Sequence, residues 1–172
     1  MVIVYTSNSG FTQQYAEMLA KAEKMKCYEL TEAGKVLEKG ADILYMGPLM
    51  AGHIQGIDHA KKYTIRAACG VGLSPPGPQV LYTMSRANYL DNAPIFYLHG
   101  GWNPKEMGLM QRRMVDMVTK GIRRELQAKG KNRTEWEERY LDMLIKGGSF
   151  VAYENLKTIR EWLKEQGNVL PE

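Results

Sequence analysis

Residues 7–12 read Ser-Asn-Ser-Gly-Phe-Thr and crowd three hydroxyls and one carboxamide into six positions. They follow an apolar run, Val2-Ile3-Val4-Tyr5, and lead into a helical pattern from about residue 12. A strand–loop–helix junction of this kind is a ready anion site. The first N–H groups of a helix lack intrahelical acceptors, and the helix dipole favours negative charge there. Ser7, Ser9 and Thr12 add hydroxyl donors, and Asn8 adds an amide. Gly10 lets the backbone approach a bulky anion or take a positive φ. The segment holds no Lys or Arg. The chain has no G-x-x-x-x-G-K-[ST] loop, and "GVGLSP" lacks the third glycine of a dinucleotide fingerprint. Hydroxyls and amides without a fixed cation suit one terminal phosphate monoester better than a polyphosphate held with Mg²⁺. A plainer reading stands beside this one: Ser, Thr and Asn are common in turns and at helix N-caps for local reasons.

The elements that must position this loop follow from the apolar pattern. Strands are predicted at 2–6, 26–30, 42–47, 66–72 and 93–100, mostly as continuous apolar runs, as expected of strands covered on both faces. Helices are predicted at 12–25, about 32–38, 57–64 and about 77–90. This β-α series predicts an α/β fold with a parallel sheet and helices on both sides. After the fifth strand the pattern changes to two helices, near 105–129 and 134–146, and then a closing amphipathic helix within 149–167. Leu156, Ile159 and Leu163 form its apolar stripe, with Asn155 or Glu154 as its expected cap. The closing helix can serve the fifth strand, which makes about 103–150 an insertion within one domain of residues 1–172.

Size and charge narrow the partners. At 172 residues the chain can bury about 70% of its unfolded surface and build a core without staples. No apolar run approaches the roughly 20 residues of a membrane span, and "TSNSG" interrupts the opening run in a way a signal peptide does not. Cys27 and Cys69 lie in apolar segments and are expected to pack rather than pair. A cytoplasmic location is the expectation. The net charge of +4 sits entirely in residues 101–150, with 11 basic and 7 acidic side chains, whereas the other 122 residues hold 12 of each sign. A basic segment favours anionic partners. Met107, Met110, Met114, Met117 and Val118 recur there at helical spacing and continue to Ile122 and Leu126, beside Arg112, Arg113, Lys120, Arg123 and Arg124. Two readings stand: a surface for membrane, polycarboxylate or partner, or a covering helix whose stripe packs on its neighbour.

The loop Ser7-Asn8-Ser9-Gly10-Phe11-Thr12 resembles the phosphate loop of the flavodoxin family, T/S-x-T-G-x-T, with Ser9 in place of the usual Thr. The resemblance covers about residues 2–100 and the last helix. It implies a flavodoxin-like, doubly wound five-stranded parallel sheet in order 2-1-3-4-5, with FMN at the switch point between strands 1 and 3. It also implies a cytoplasmic electron-transfer flavoprotein or oxidoreductase. The phosphate would then sit in 7–12. The flavin would be flanked by the loop after strand 3, with Pro48, Leu49, Met50, Ala51 and Gly52, and by that after strand 4, with Gly72, Leu73 and Ser74. Many flavodoxins stack a Trp or Tyr on each ring face, and neither loop here has an aromatic residue, so Leu49 or Met50 packs on the ring or the ring is more exposed.

The chain is more loosely similar to the flavodoxin-like, quinone-dependent protoporphyrinogen oxidases, through Gly52-His53, the basic insertion and "FVAYENL". That resemblance implies an anionic porphyrinogen substrate, a quinone acceptor and peripheral membrane contact. A third reading is a non-enzymatic module that binds a partner through the basic insertion. No nucleic acid is expected. His53, His59 and His99 are too scattered for a metal site. His53 either tunes the flavin or contacts substrate, or is a surface histidine without a role. Trp102, in "HGGWNP", either lies near the flavin or anchors the insertion. No catalytic residue is assigned, because the cofactor performs the electron chemistry.

Overall fold

The structure, a computed structural model, describes residues 1–90, 92–105 and 107–167. These residues form β1 (Val2–Tyr5), α1 (Phe11–Glu23), β2 (Cys27–Glu29), α2 (Leu30–Val36), β3 (Asp42–Met50), β4 (His53–Ile54), α3 (Ile57–Ala60), β5 (Thr64–Gly72), α4 (Pro78–Ala87) and β6 (Ile95–His99). The chain continues through β7 (Gly101–Trp102), α5 (Leu109–Ala128), α6 (Glu135–Lys146) and β8 (Gly148–Ser149) to α7 (Lys157–Gly167). They group into two compact units, one of residues 1–100 and 151 onward, the other of Gly101–Phe150.

The first unit is an α/β fold with a mostly parallel sheet. Its strands lie in the order β2-β1-β3-β5-β6, all parallel, and β4 pairs antiparallel with the end of β3. The continuous apolar runs are explained by burial on both faces. Ile3, Leu44, Met46, Ala67, Cys69 and Leu98 face one core, with Tyr15, Ala16 and Leu19 of α1 and Ile159 of α7. Val4, Ile43, Tyr45 and Ala68 face the other, with residues from α2, α3 and α4. Each fully buried Leu or Ile among them contributes about 1.5–3 kcal/mol relative to an exposed one. Both cysteines are free, as expected, and Cys69 is buried in the α1 core.

Several boundaries differ from expectation for tertiary reasons. β3 and β5 each run nine residues, and β3 continues three residues past Gly47 because Pro48 still pairs with Val71. α3 is one short turn, because residues from Thr64 are drawn into β5 beside Asp42. α7 follows a 3₁₀ turn at Tyr153–Leu156 that contains both expected cap residues, and Asn155 Nδ2 donates to the Tyr15 hydroxyl at 2.6 Å.

The second unit is a pair of helices closed by a short antiparallel clasp, with Gly101 opposite Ser149 and Trp102 opposite Gly148. Helix α6 begins with a capping box. The Thr134 hydroxyl accepts from Glu137 N–H, and the Glu137 carboxylate accepts from Thr134 N–H. Leu126, Tyr140, Leu141, Met143 and Leu144 are buried here. Trp102 is an anchor of this unit, buried with its indole N–H donating to the Met143 carbonyl at 2.9 Å. The methionine stripe does not pack. The covered side of α5 is set by Thr119 and Leu126, whereas Met110, Met114, Met117 and Val118 are exposed. Met107 precedes the helix, and Glu106, part of the predicted helix, lies outside the described residues.

Candidate functional site

Parallel pairing brings the carboxyl ends of β1, β3, β5 and β6 to one edge of the sheet, where residues 6–10, 51–52 and 73–77 lie. The first of these loops closes on α1. Gly10 is the N-cap with φ 83°, a left-handed conformation that a glycine takes without steric cost. Having no side chain, it leaves the helix start without a side-chain cap at that position. The Ser7 hydroxyl accepts from the Gln13 N–H at 3.3 Å. The amides of Phe11 and Thr12 have no acceptor among the described residues. Thr12 is only 2% exposed. No acidic side chain stands in the first turn of α1. The contrast with α6 is direct, because Thr134, Glu135, Glu137 and Glu138 cap and neutralise that helix start from within. The N-terminus of α1 thus carries the dipole and free donors that favour an anion.

The second loop is a tight hairpin. Leu49 pairs with Ile54 and Met50 with His53, so Ala51 and Gly52 form a two-residue turn with φ 49° and 83°, the signature of a type I′ turn. Gly52 is buried, and a Cβ there would come within 2.7 Å of Thr83 Cγ2. Asn88, at the end of α4, holds this turn. Its Nδ2 donates to the carbonyls of Gly52 and Met84 at 2.8 Å, and its Oδ1 accepts from Ile54 N–H at 2.9 Å. The hairpin is tied to the first loop through Tyr45. Its hydroxyl donates to the Gln55 carbonyl at 2.8 Å and lies 2.9 Å from Thr6 Oγ1, and burial pushes its pKa up to about 12.

Three consecutive carbonyls of the third loop are drawn toward β6. Gly72 C=O accepts from Gly100 N–H at 2.8 Å, and Leu73 C=O lies 3.1 Å from His99 Nε2. Ser74 C=O accepts from the Tyr97 hydroxyl at 2.6 Å. The Leu73 and Ser74 amides have no acceptor among the described residues, so this loop offers donors. The His99–Leu73 contact places the proton of the neutral imidazole on Nε2, and burial lowers the His99 pKa, with the Leu73 carbonyl opposing. The His99 carbonyl accepts from Tyr15 O–H at 2.6 Å, which joins α1 to the end of β6.

The structure brings Leu49 against Gly70 and Gly72, where added Cβ atoms would lie 3.1 and 3.2 Å from Leu49 atoms. Pro48 continues β3, Met50 and Ala51 are exposed, and Gly52 packs on α4 rather than opening to the crevice. Asn8 is exposed, and Ser7, Ser9, Gly10 and Phe11 are half-buried. His53 lies away from these loops' free donors, with Nε2 3.3 Å from Asp58 and Nδ1 3.4 Å from the Ala87 carbonyl. Sequence reasoning missed Tyr97, Asn88, Tyr45 and the buried role of His99. Tyr97 brings an aromatic ring to within 3.1 Å of where a Gly72 Cβ would stand, which supplies from β6 what the loops themselves lack.

Two cavities of about 630 and 460 Å³ lie at the opposite edge of the sheet, near Thr64, Arg66 and Pro94 and near Met1 and Asp42. They face the amino ends of the strands. In open parallel sheets ligands bind beyond the carboxyl ends, which makes the carboxyl-end loops the better candidate. Among the described residues no cluster of His, Cys, Asp and Glu could hold a metal ion. Comparison of the chain with protein-family models, curated proteins and solved structures finds no match in any of the three.

Proposed function

We propose that this chain is a flavodoxin-like flavoprotein that binds FMN and passes electrons between a reduced donor and an acceptor. The observation that carries the reading is the open, uncharged N-terminus of α1, with its free amides, at the carboxyl edge of a parallel sheet. The strand order supports the family. With the two-residue β4 set aside, the strand order β2-β1-β3-β5-β6 is compatible with the order that the resemblance implies. In that order the direction in which strands are added reverses between β1 and β3, which leaves a crevice beyond their carboxyl ends.

The residues fit the cofactor. Ser7, Asn8, Ser9, Gly10, Phe11 and Thr12 would hold a phosphate monoester with hydroxyls and amides alone. Pro48, Leu49, Met50 and Ala51 would flank the ring from one loop, with Gly52 holding their turn. Gly72, Leu73 and Ser74 would offer amide donors from the other. When bound, FMN supplies the one- or two-electron redox chemistry. The chain orients and shields it. Tyr97, Asn88 and Tyr45 hold the loops in place, and neutral His99 adds no positive charge.

The test is the visible spectrum of the purified protein, with FMN titrated into any colourless preparation. A preparation that neither carries nor takes up FMN sinks the reading. A hydrogen bond to a charged group contributes about 1.5–3 kcal/mol. Ser9→Ala with Thr12→Ala should therefore weaken FMN binding by about a hundredfold or more, read by fluorescence quenching of the titrated flavin.

A further inference from the structure

The uncovered side of α5 combines two chemistries in one stripe. Met110, Met114, Met117 and Val118 are 81, 40, 70 and 72% exposed. At about 100° per residue, Met110, Met114 and Met117 fall within roughly 60° of one another, opposite buried Thr119 and Leu126. Arg113, Lys120 and Arg124 project along one flank of that stripe. None of the three has a carboxylate partner among the described residues, whereas Arg123 is held by Asp116 at 2.6 Å. The whole helix carries five basic and two acidic side chains. Single exposed apolar residues are ordinary, but a contiguous stripe rimmed by charge marks a contact surface.

We propose that α5 is an interfacial helix that docks this protein on bilayers containing anionic lipid. The 20-residue helix spans about 30 Å, long enough to lie in the headgroup plane with its methionines in the acyl boundary and its cations at phosphate depth. Methionine suits this role because its unbranched thioether adapts to an irregular surface. Among the described residues no helix is long and apolar enough to cross a membrane, so this contact is a peripheral one. Charge complementarity selects the occupant. Nucleic acid would match the cations and leave the methionines in water, and a second copy would bring two rows of unpaired cations together. The inference does not depend on FMN.

The full chain is sedimented with large vesicles of phosphatidylcholine, with and without about one-third phosphatidylglycerol, at low and high salt. It should pellet with the anionic vesicles and be released by salt. Each cation near an anionic surface contributes about fivefold to partitioning. The triple variant Arg113→Gln, Lys120→Gln, Arg124→Gln should therefore bind about a hundredfold more weakly. The pair Met110→Ser, Met117→Ser should lose binding at least tenfold. All five side chains are outside the buried set, and an unchanged far-ultraviolet circular dichroism spectrum checks that the fold persists. Full-chain protein that stays in the supernatant at low salt overturns the proposal. So does pelleting that both variants retain, or an α5-dependent dimer in gel filtration without vesicle binding.

Discussion

Of the three histidines, His99 is the buried one, and its burial has a consequence for pH. Burial holds its pKa below the ordinary value of 6.5, so the folded chain keeps it neutral while the unfolded chain takes up a proton. Stability is therefore complete above about pH 6.5 and declines as pH falls toward the folded pKa. Urea midpoints should drop between pH 7.5 and pH 5.5, and His99→Gln should flatten that slope. An equal slope in both proteins would show that other groups are responsible. The same residue shows why parts of the site escaped sequence reading. Ser9, Gly10 and Thr12 are legible because a helix start is a local event. His99 and Tyr97 matter through Leu73 and Ser74, 26 and 23 positions away, and only strand pairing reveals that proximity.

At the level of elements, α4 and the β3–β4 hairpin are joined by one carboxamide. Asn88 satisfies a buried N–H and a buried carbonyl of the hairpin together with the Met84 carbonyl in its own helix. Asn88→Ala leaves the two hairpin groups unpaired at about 1–3 kcal/mol each, whereas the Met84 carbonyl keeps the backbone N–H of residue 88. The first unit should lose about 3 kcal/mol in urea unfolding, and a loss below about 0.5 kcal/mol would show that the hairpin does not depend on this tie. β1, β3 and β5 were readable because burial on both faces writes a continuous apolar run. β4, β7 and β8 were not, because two residues carry no period. Asn155, read as a local cap, also carries a tertiary bond that no local pattern shows: its Nδ2 donates to the Tyr15 hydroxyl, 140 positions away.

The molecule as a whole divides by both contact and charge. The chain divides into two compact units, and the excess positive charge belongs to the 101–150 segment alone. Denaturation followed by hydrogen exchange should resolve two opening transitions. Thr134→Ala, which removes the α6 cap, should lower the second unit by about 1 kcal/mol and leave the first unmoved. Equal shifts in both would indicate one cooperative block. The segment was visible in sequence as a switch from strand–helix alternation to helical pairs with clustered cations. What the sequence left open was whether the methionine stripe faces protein or water, because a helical period fixes a face but not what lies against it.

The clasp of β7 with β8 brings Gly101 opposite Ser149 and Trp102 opposite Gly148, so the chain enters and leaves the second unit through a gap of about one strand spacing, some 5 Å. A tight turn of two residues bridges the same gap. Everything between Trp102 and Gly148 therefore hangs on a single stem. Such a segment is free to lengthen, shorten or be exchanged by recombination while the stem stays the same. Across related chains, variation in length should gather here rather than in the loops that tie Tyr45, Asn88 and Tyr97 together.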